Sequence, residues 1–186
     1  MKAQKVLLII DIQNDYFQGG TNPLIGSLEA SLKAKDVLTD FRNKGLPIIH
    51  IQHIANRPGA SFFVSGTTGA DIHESVKPVN GEPVIVKHFP NSFRDTELLT
   101  TLKSLQTSEL VICGMMTHMC VDATVRAAKD FGFTCTLIGD ACATKDLMVF
   151  GKTTLAEDVQ TAFLSALSYF YANVIYADNF LINKRF

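Results

Sequence analysis

An excess of charge of either sign is missing from this 186-residue chain: 17 lysines and arginines stand against 18 aspartates and glutamates, a formal net charge of −1. Its basic residues are scattered, so it carries no electrostatic footprint for nucleic acid or an anionic membrane, and no block of like charge forms a tail. Long apolar runs are missing too. The N-terminal KVLLII reaches Asp11 after five apolar residues, Val6 to Ile10, too few for a signal peptide or a membrane span. The four cysteines form no Cys-x-x-Cys pair. Without an export signal, reduced thiols in a cytoplasmic protein are expected. Neither a Gly-x-Gly-x-x-Gly after the first apolar run nor a P-loop lysine motif occurs, which excludes those two modes of nucleotide binding. Small molecules and further copies of the chain are the expected partners, with no nucleic acid, no membrane and no cofactor.

Apolar residues make up 47% and charged residues 19%, a globular composition. The length suits one domain over 1–186 with a sizeable core. Strand and helix patterns alternate almost from end to end. KVLLIID (5–11) is the continuous apolar run of a strand buried on both faces. SLEASLKAKDVLTDFRNK (27–44) spaces Leu28, Leu32, Val37, Leu38 and Phe41 at helical intervals before Gly45 ends the helix. Further strands are expected at 46–52, 83–87, 108–114, 133–140 and 173–178, with helices at 96–105, 120–132 and 152–172. This alternation predicts a three-layer Rossmann-like α/β fold, with six parallel strands in the order 3-2-1-4-5-6 and helices on both faces. That order sets the carboxyl ends of the first and fourth strands side by side, where such sheets bind ligands. Residues 53–82, rich in Gly, Pro, Ser and Thr, break the rhythm. A connection of that length reads as a lid or binding loop, and the apolar patch Phe62, Phe63, Val64 within it as a contact with ligand or with a neighbouring subunit.

Three polar residues stand at carboxyl ends of strands. Asp11 ends the first apolar run, Lys87 ends the third, and Cys120 follows the fourth where a helix is expected to start. Singly, each has an ordinary explanation as a turn residue, a solvated strand end or a small core thiol. Together they fit one task. A thiol must ionise to attack a carbonyl; a helix N-terminus and Lys87 both favour the anion, and Asp11 offers a base that later protonates a leaving amine. The turn into the helix presents backbone N–H groups suited to an oxyanion.

IIDIQNDYF (9–17), VIVKHFPNSF (84–93) and GMMTHMCVDATVRAA (114–128) resemble the motifs of the isochorismatase-like cysteine hydrolases, which include the nicotinamidases. GTTG (66–69) and KPVNGE (77–82) fit the loop of a metal-free branch of that family. The resemblance runs in order along nearly the whole chain. It implies a catalytic triad of Asp11, Lys87 and Cys120, a cis peptide at Met115–Met116, an oxyanion hole from the Met116 and Cys120 amides, and a homo-oligomer (dimer or tetramer). Tyr16, Phe17, Phe93 and His118 adjoin these motifs and are candidate walls of the substrate pocket.

Two departures narrow the reading. Nicotinamidases carry an Asp-x-His pair after the second strand that binds a divalent metal; this segment reads HIQHIANRPGASF and lacks it. His50 and His53 lie three apart and so face opposite ways along a strand, which favours structural roles over a metal site needing several converging ligands. Isochorismatases proper cleave a vinyl ether and lack the cysteine, so Cys120 favours acyl transfer from nitrogen. The leading expectation is a metal-independent hydrolase of a small amide, lactam or ureide acting through a thioester. An isochorismatase-type ether hydrolase, a non-catalytic small-molecule binder on the same fold, and a thiol redox protein using Cys142 are the alternatives. Cys113 and Cys135 read as core.

Overall fold

In the computed structural model, which describes residues 5–182, the apolar run Lys5–Ile10 forms strand β1 and lies at the centre of the sheet. Its side chains divide by parity, as strand geometry requires. Leu7 and Ile9 enter one core beneath the helix Ser27–Asn43 (α1), while Val6, Leu8 and Ile10 enter the other. β1 is flanked by β2 (Ile48–His53) and β4 (Glu109–Met115); β3 (Val84–Lys87) lies beyond β2, and β5 (Thr134–Ala143) beyond β4. All neighbours in this sheet pair in parallel. Helices α2 (Leu98–Ser104), α3 (Asp122–Asp130) and α4 (Ala156–Phe170) supply Leu98, Leu102, Val125, Ala128 and Leu167 to the core opposite α1. The result is the expected three-layer sandwich. No helix among the described residues is long and apolar enough to cross a membrane.

The sixth strand of the main sheet is the eighth along the chain, because a small antiparallel hairpin, β6 (Leu147–Val149) and β7 (Lys152–Thr154), precedes α4. Its two-residue loop, Phe150–Gly151, has positive φ at both positions, the primed-turn geometry that hairpins favour. Phenylalanine is an uncommon first residue for such a turn, so the sequence carries no ordinary signal for it. The order β3-β2-β1-β4-β5-β8 is therefore the expected one with the hairpin inserted. The expected strand over 173–178 is shorter. β8 stops at Ile175, and a last helix, α5 (Ala177–Ile182), begins where the Ala177 N–H donates to Asp140 Oδ1 at 2.8 Å.

Glycine at 114 decides how closely the central strands meet. Gly114 pairs with Ile10, its φ is 141°, and a Cβ there would stand 2.1 Å from the Ile10 carbonyl oxygen. Only glycine permits that approach, which draws the exit of β4 against the exit of β1.

The segment after β2 is fastened to its own chain at three places. Gln13, fully buried, donates from Nε2 to the carbonyls of His53 and Ala70 (2.9 and 2.7 Å), and its Oε1 accepts the His53 N–H at 2.8 Å. Asp15 Oδ2 accepts the Phe63 N–H at 2.6 Å, while its Oδ1 holds Thr21. Within the Phe62–Val64 patch, Phe63 is buried beside Tyr16, ring centroids 4.6 Å apart, and Val64 alone of the three is exposed. At the far end, Arg42 grips Glu82 with two hydrogen bonds of 2.7 and 2.8 Å, and His50 Nε2 adds a third at 2.9 Å.

Burial works to raise the Glu82 pKa, but hydrogen bonds from Arg42, the Val79 N–H and His50 outweigh it and hold the carboxyl at about 2, below the ordinary 4.5. A depressed carboxyl pKa contributes stability above the unfolded value and loses it as pH falls towards the folded one. The stabilising advantage of wild type over Glu82→Gln should therefore shrink by about 1–2 kcal/mol between pH 6 and pH 3, after allowance for screening. Urea unfolding at the two pH values checks this; an unchanged difference would mean that Glu82 is not held as an anion.

Candidate active site

Asp11 follows β1 with φ at 51°, a left-handed conformation that Asp tolerates better than most residues and that recurs at functional sites. Its carboxylate and the Lys87 ammonium at the end of β3 are both fully buried, with Lys87 Nζ 2.7 Å from Asp11 Oδ2. Lys87 spans the width of β2 to get there, and the last residue of β2, His53, pairs with it in register. Nζ also meets His53 Nδ1 at 3.1 Å and the Phe89 carbonyl at 3.1 Å. The ammonium thus has one ion pair and two hydrogen-bond acceptors around it, the kind of compensation a buried cation requires. Asp11 Oδ1 has no hydrogen-bond partner among the described residues, so the carboxylate keeps lone pairs uncommitted.

Cys120 arrives from the other side. β4 ends in a cis peptide, Met115–Met116, and leads into a single π-helical turn, Thr117–Val121, rather than directly into α3. The Met116 carbonyl accepts the N–H groups of Met119 and Val121. Thr117 Oγ1 donates to Gln160 Oε1 at 2.6 Å, while Gln160 Nε2 bonds the carbonyls of Gly139 and Cys142. This knot against β5 fixes the turn. It leaves Cys120 Sγ 3.9 Å from His53 Nδ1, with ligand atoms of Asp11, His53 and Cys120 all within 4.8 Å of one another. Those three could ligate a cation, yet the Lys87 ammonium already lies against two of them.

The electrostatics correct one expectation. The thiol of Cys120 is not lowered. Burial pushes its pKa well up and Asp11 adds to the rise, with Lys87 opposing both. The resting residue is a thiol, and it can lose its proton only to a neighbour. Lys87 stays cationic: burial disfavours its charge, but Asp11 more than restores it. His53 falls to about 4 through burial first and the Lys87 charge second, so its imidazole is neutral at ordinary pH.

Of the four expected pocket residues, the structure brings only Tyr16 beside the triad. Its hydroxyl is pushed up by burial and then by Cys120 and Asp11. Phe17 stacks on His73, centroids 3.6 Å apart, in a separate groove. Phe93 packs on Phe131 and Phe133 under α3. His118 turns to Thr144 Oγ1 at 2.6 Å and to the Phe163 ring. Adjacency in sequence did not bring these three to the crevice. A cavity of about 300 Å³ adjoins the triad through His53, and is lined by His53, Arg57, Phe62, His88, Phe89 and Met119, with Ala55, Asn56 and Pro90. His53, expected to be structural, closes β2 and stands in the site itself. Placed at a strand's carboxyl end, it obeys the rule that singled out Asp11 and Lys87. Cys142 is no resolving partner: its thiol donates to the Ile138 carbonyl at 3.4 Å, and burial pushes it up to about 12. All four cysteines are free.

The Isochorismatase domain model matches residues 5–178. An uncharacterised isochorismatase family protein of Bacillus subtilis, YddQ, is 49% identical over 175 residues, 94% of this chain and 97% of that protein. A streptothricin hydrolase of Streptomyces noursei is 32% identical over 143 residues, which is 77% of this chain and 51% of that protein. A solved chain from Oleispira antarctica superposes with a TM-score of 0.94 at 46% identity, over 98% of both chains.

The buried ion pair gives a stability test. Lys87→Met strands the Asp11 carboxylate without its partner and should cost about 3–5 kcal/mol in urea unfolding, most of it recovered in the double variant Asp11→Asn/Lys87→Met. A single-variant cost below about 1 kcal/mol would show that the pair is not buried as described.

Proposed function

This chain belongs to the isochorismatase family of hydrolases, and on that premise we propose that it is a cysteine-dependent enzyme cleaving a C–N bond of a small amide, lactam or ureide. The observation that carries the proposal is the convergence of a thiol, a buried carboxylate with open lone pairs and a buried, ion-paired ammonium. A binding module has no use for that combination, whose desolvation is costly. The streptothricin hydrolase among its relatives supports hydrolysis as the reaction class.

The chemistry follows from the pKa directions. As the substrate carbonyl enters, Asp11 takes the Cys120 proton while Sγ forms its bond to carbon. The negative charge passes to the carbonyl oxygen, for which the Met116 and Cys120 amides are the proposed donors. Asp11 then returns the proton to the nitrogen, the C–N bond breaks, and ammonia or an amine leaves. Water attacks the thioester with Asp11 again as base, releasing the acid and the thiol. Lys87, 2.7 Å from Asp11 Oδ2, holds the carboxylate in place between these transfers and adds positive potential to the site. With the thiol pushed up by burial, attack is coupled to proton transfer and does not wait on a standing thiolate.

We also propose that the chain self-associates. Met148, Val149 and Phe150 of the hairpin are 75%, 61% and 101% exposed, an apolar projection of the kind that marks contacts.

Cys120→Ala should abolish amide hydrolysis, a loss of about 10³-fold or more, with little change in unfolding midpoint, and wild-type activity should survive exhaustive chelation. Ammonia release from a panel of small amides, lactams and ureides measures both. Residual turnover in Cys120→Ala above a few per cent, or loss with chelator that zinc or manganese restores, would overturn the mechanism.

A further inference from the structure

We propose that Arg57 is a specificity residue that selects substrates carrying a carboxylate at the end remote from the scissile bond. The proposal rests on the amidase reading, since it names the substrate class of that same crevice. Of the four arginines among the described residues, Arg42, Arg94 and Arg126 each pair with an acid. Arg57, an exposed residue, makes no ion pair and no side-chain hydrogen bond there, although it lines the cavity that adjoins the triad through His53. It is close enough to His53 for its charge to help hold that imidazole neutral. None of the nine lining residues is acidic.

The rest of the wall suits a small planar acyl group with one anionic end. Lys87 can only donate, so His53 Nδ1 must be the acceptor of their 3.1 Å contact, and the imidazole proton sits on Nε2. No acceptor takes that N–H among the described residues, which leaves it for a ligand oxygen. His88 spends its Nδ1–H on the Ile54 carbonyl at 2.7 Å. Phe62 and Phe89 supply flat apolar walls, and Phe89 is held from behind by the Arg94 guanidinium, 3.6 Å from its ring centroid. A volume of about 300 Å³ is worth roughly ten water molecules at ~30 Å³ each, room for a compact acid amide or ureido acid. Lys87 and Asp11 offset one another as a buried pair, which leaves Arg57 as the positive charge that a substrate anion would meet in a cavity with no acidic lining residue. An unpaired guanidinium is the group best shaped to hold a carboxylate by two hydrogen bonds.

Succinamate is butyramide with its terminal methyl replaced by a carboxylate, and two measurements compare them. The first is kcat/KM for ammonia release; the second is protection of Cys120 from iodoacetamide, read by mass spectrometry, which reports binding whether or not turnover occurs. Wild type should favour succinamate by about tenfold or more, the usual scale for a charged hydrogen bond, and the preference should weaken with salt. Arg57→Gln should lose at least tenfold more on succinamate than on butyramide, and Arg57→Lys should recover part of it. Selective protection without hydrolysis would sustain the anion site and sink the amidase reading. Equal behaviour of the two compounds in wild type, or a preference that survives Arg57→Gln, would overturn the assignment of Arg57.

Discussion

The buried pair of Lys87 and Asp11 is the constraint on which the site depends. Neither side chain touches solvent, and 2.7 Å separates Nζ from Oδ2. Removing two charges from water costs several kcal/mol each, which their attraction repays only with good geometry and further hydrogen bonds. Here the further bonds come from His53 Nδ1 and the Phe89 carbonyl. The same arrangement explains why Asp11 has spare lone pairs beside a thiol that cannot ionise alone. What stabilises the pair electrostatically also sets up the proton transfer.

Those side chains meet because of how parallel strands end. β3, β2, β1 and β4 are consecutive in the sheet, and each delivers one member of the cluster at or just past its carboxyl end: Lys87, His53, Asp11 and the turn that bears Cys120. Gly114 lets β4 crowd β1, and the bonds of Thr117 and Gln160 stop the π-helical turn from drifting. Gln13 and Asp15, two and four residues past Asp11, tie the segment after β2 across the opening. The residues that shape the cavity therefore hang from the same short stretch that supplies the base.

Asp11, Lys87 and Cys120 were legible in the sequence because each ends or follows a clear apolar run, and parallel topology says what such ends do. The strand order was legible for the same reason. The role of His53 was not, since the sequence weighs it only as a metal ligand and shows nothing of the Lys87 ammonium that its Nδ1 meets. The parity argument itself was sound: His50 turns to Glu82 while its neighbour three residues on turns to Lys87. Phe17, Phe93 and His118 show the limit of motif adjacency, because a neighbour in sequence at a tight turn faces wherever local hydrogen bonds and stacking take it. The thiol pKa was misjudged because dipole and lysine were weighed without burial, which is invisible in a sequence and is the largest influence on Cys120.

The central claim is that Cys120 carries the acyl group between the two halves of the reaction. Acid-quenching the enzyme milliseconds after mixing with a hydrolysed amide, followed by intact-mass and peptide analysis, tests it most directly. The account predicts an added mass equal to the acyl group, confined to the peptide containing Cys120 and removed by hydroxylamine. Turnover at full rate with no adduct on Cys120 at any quench time, or an adduct on another residue, would contradict it.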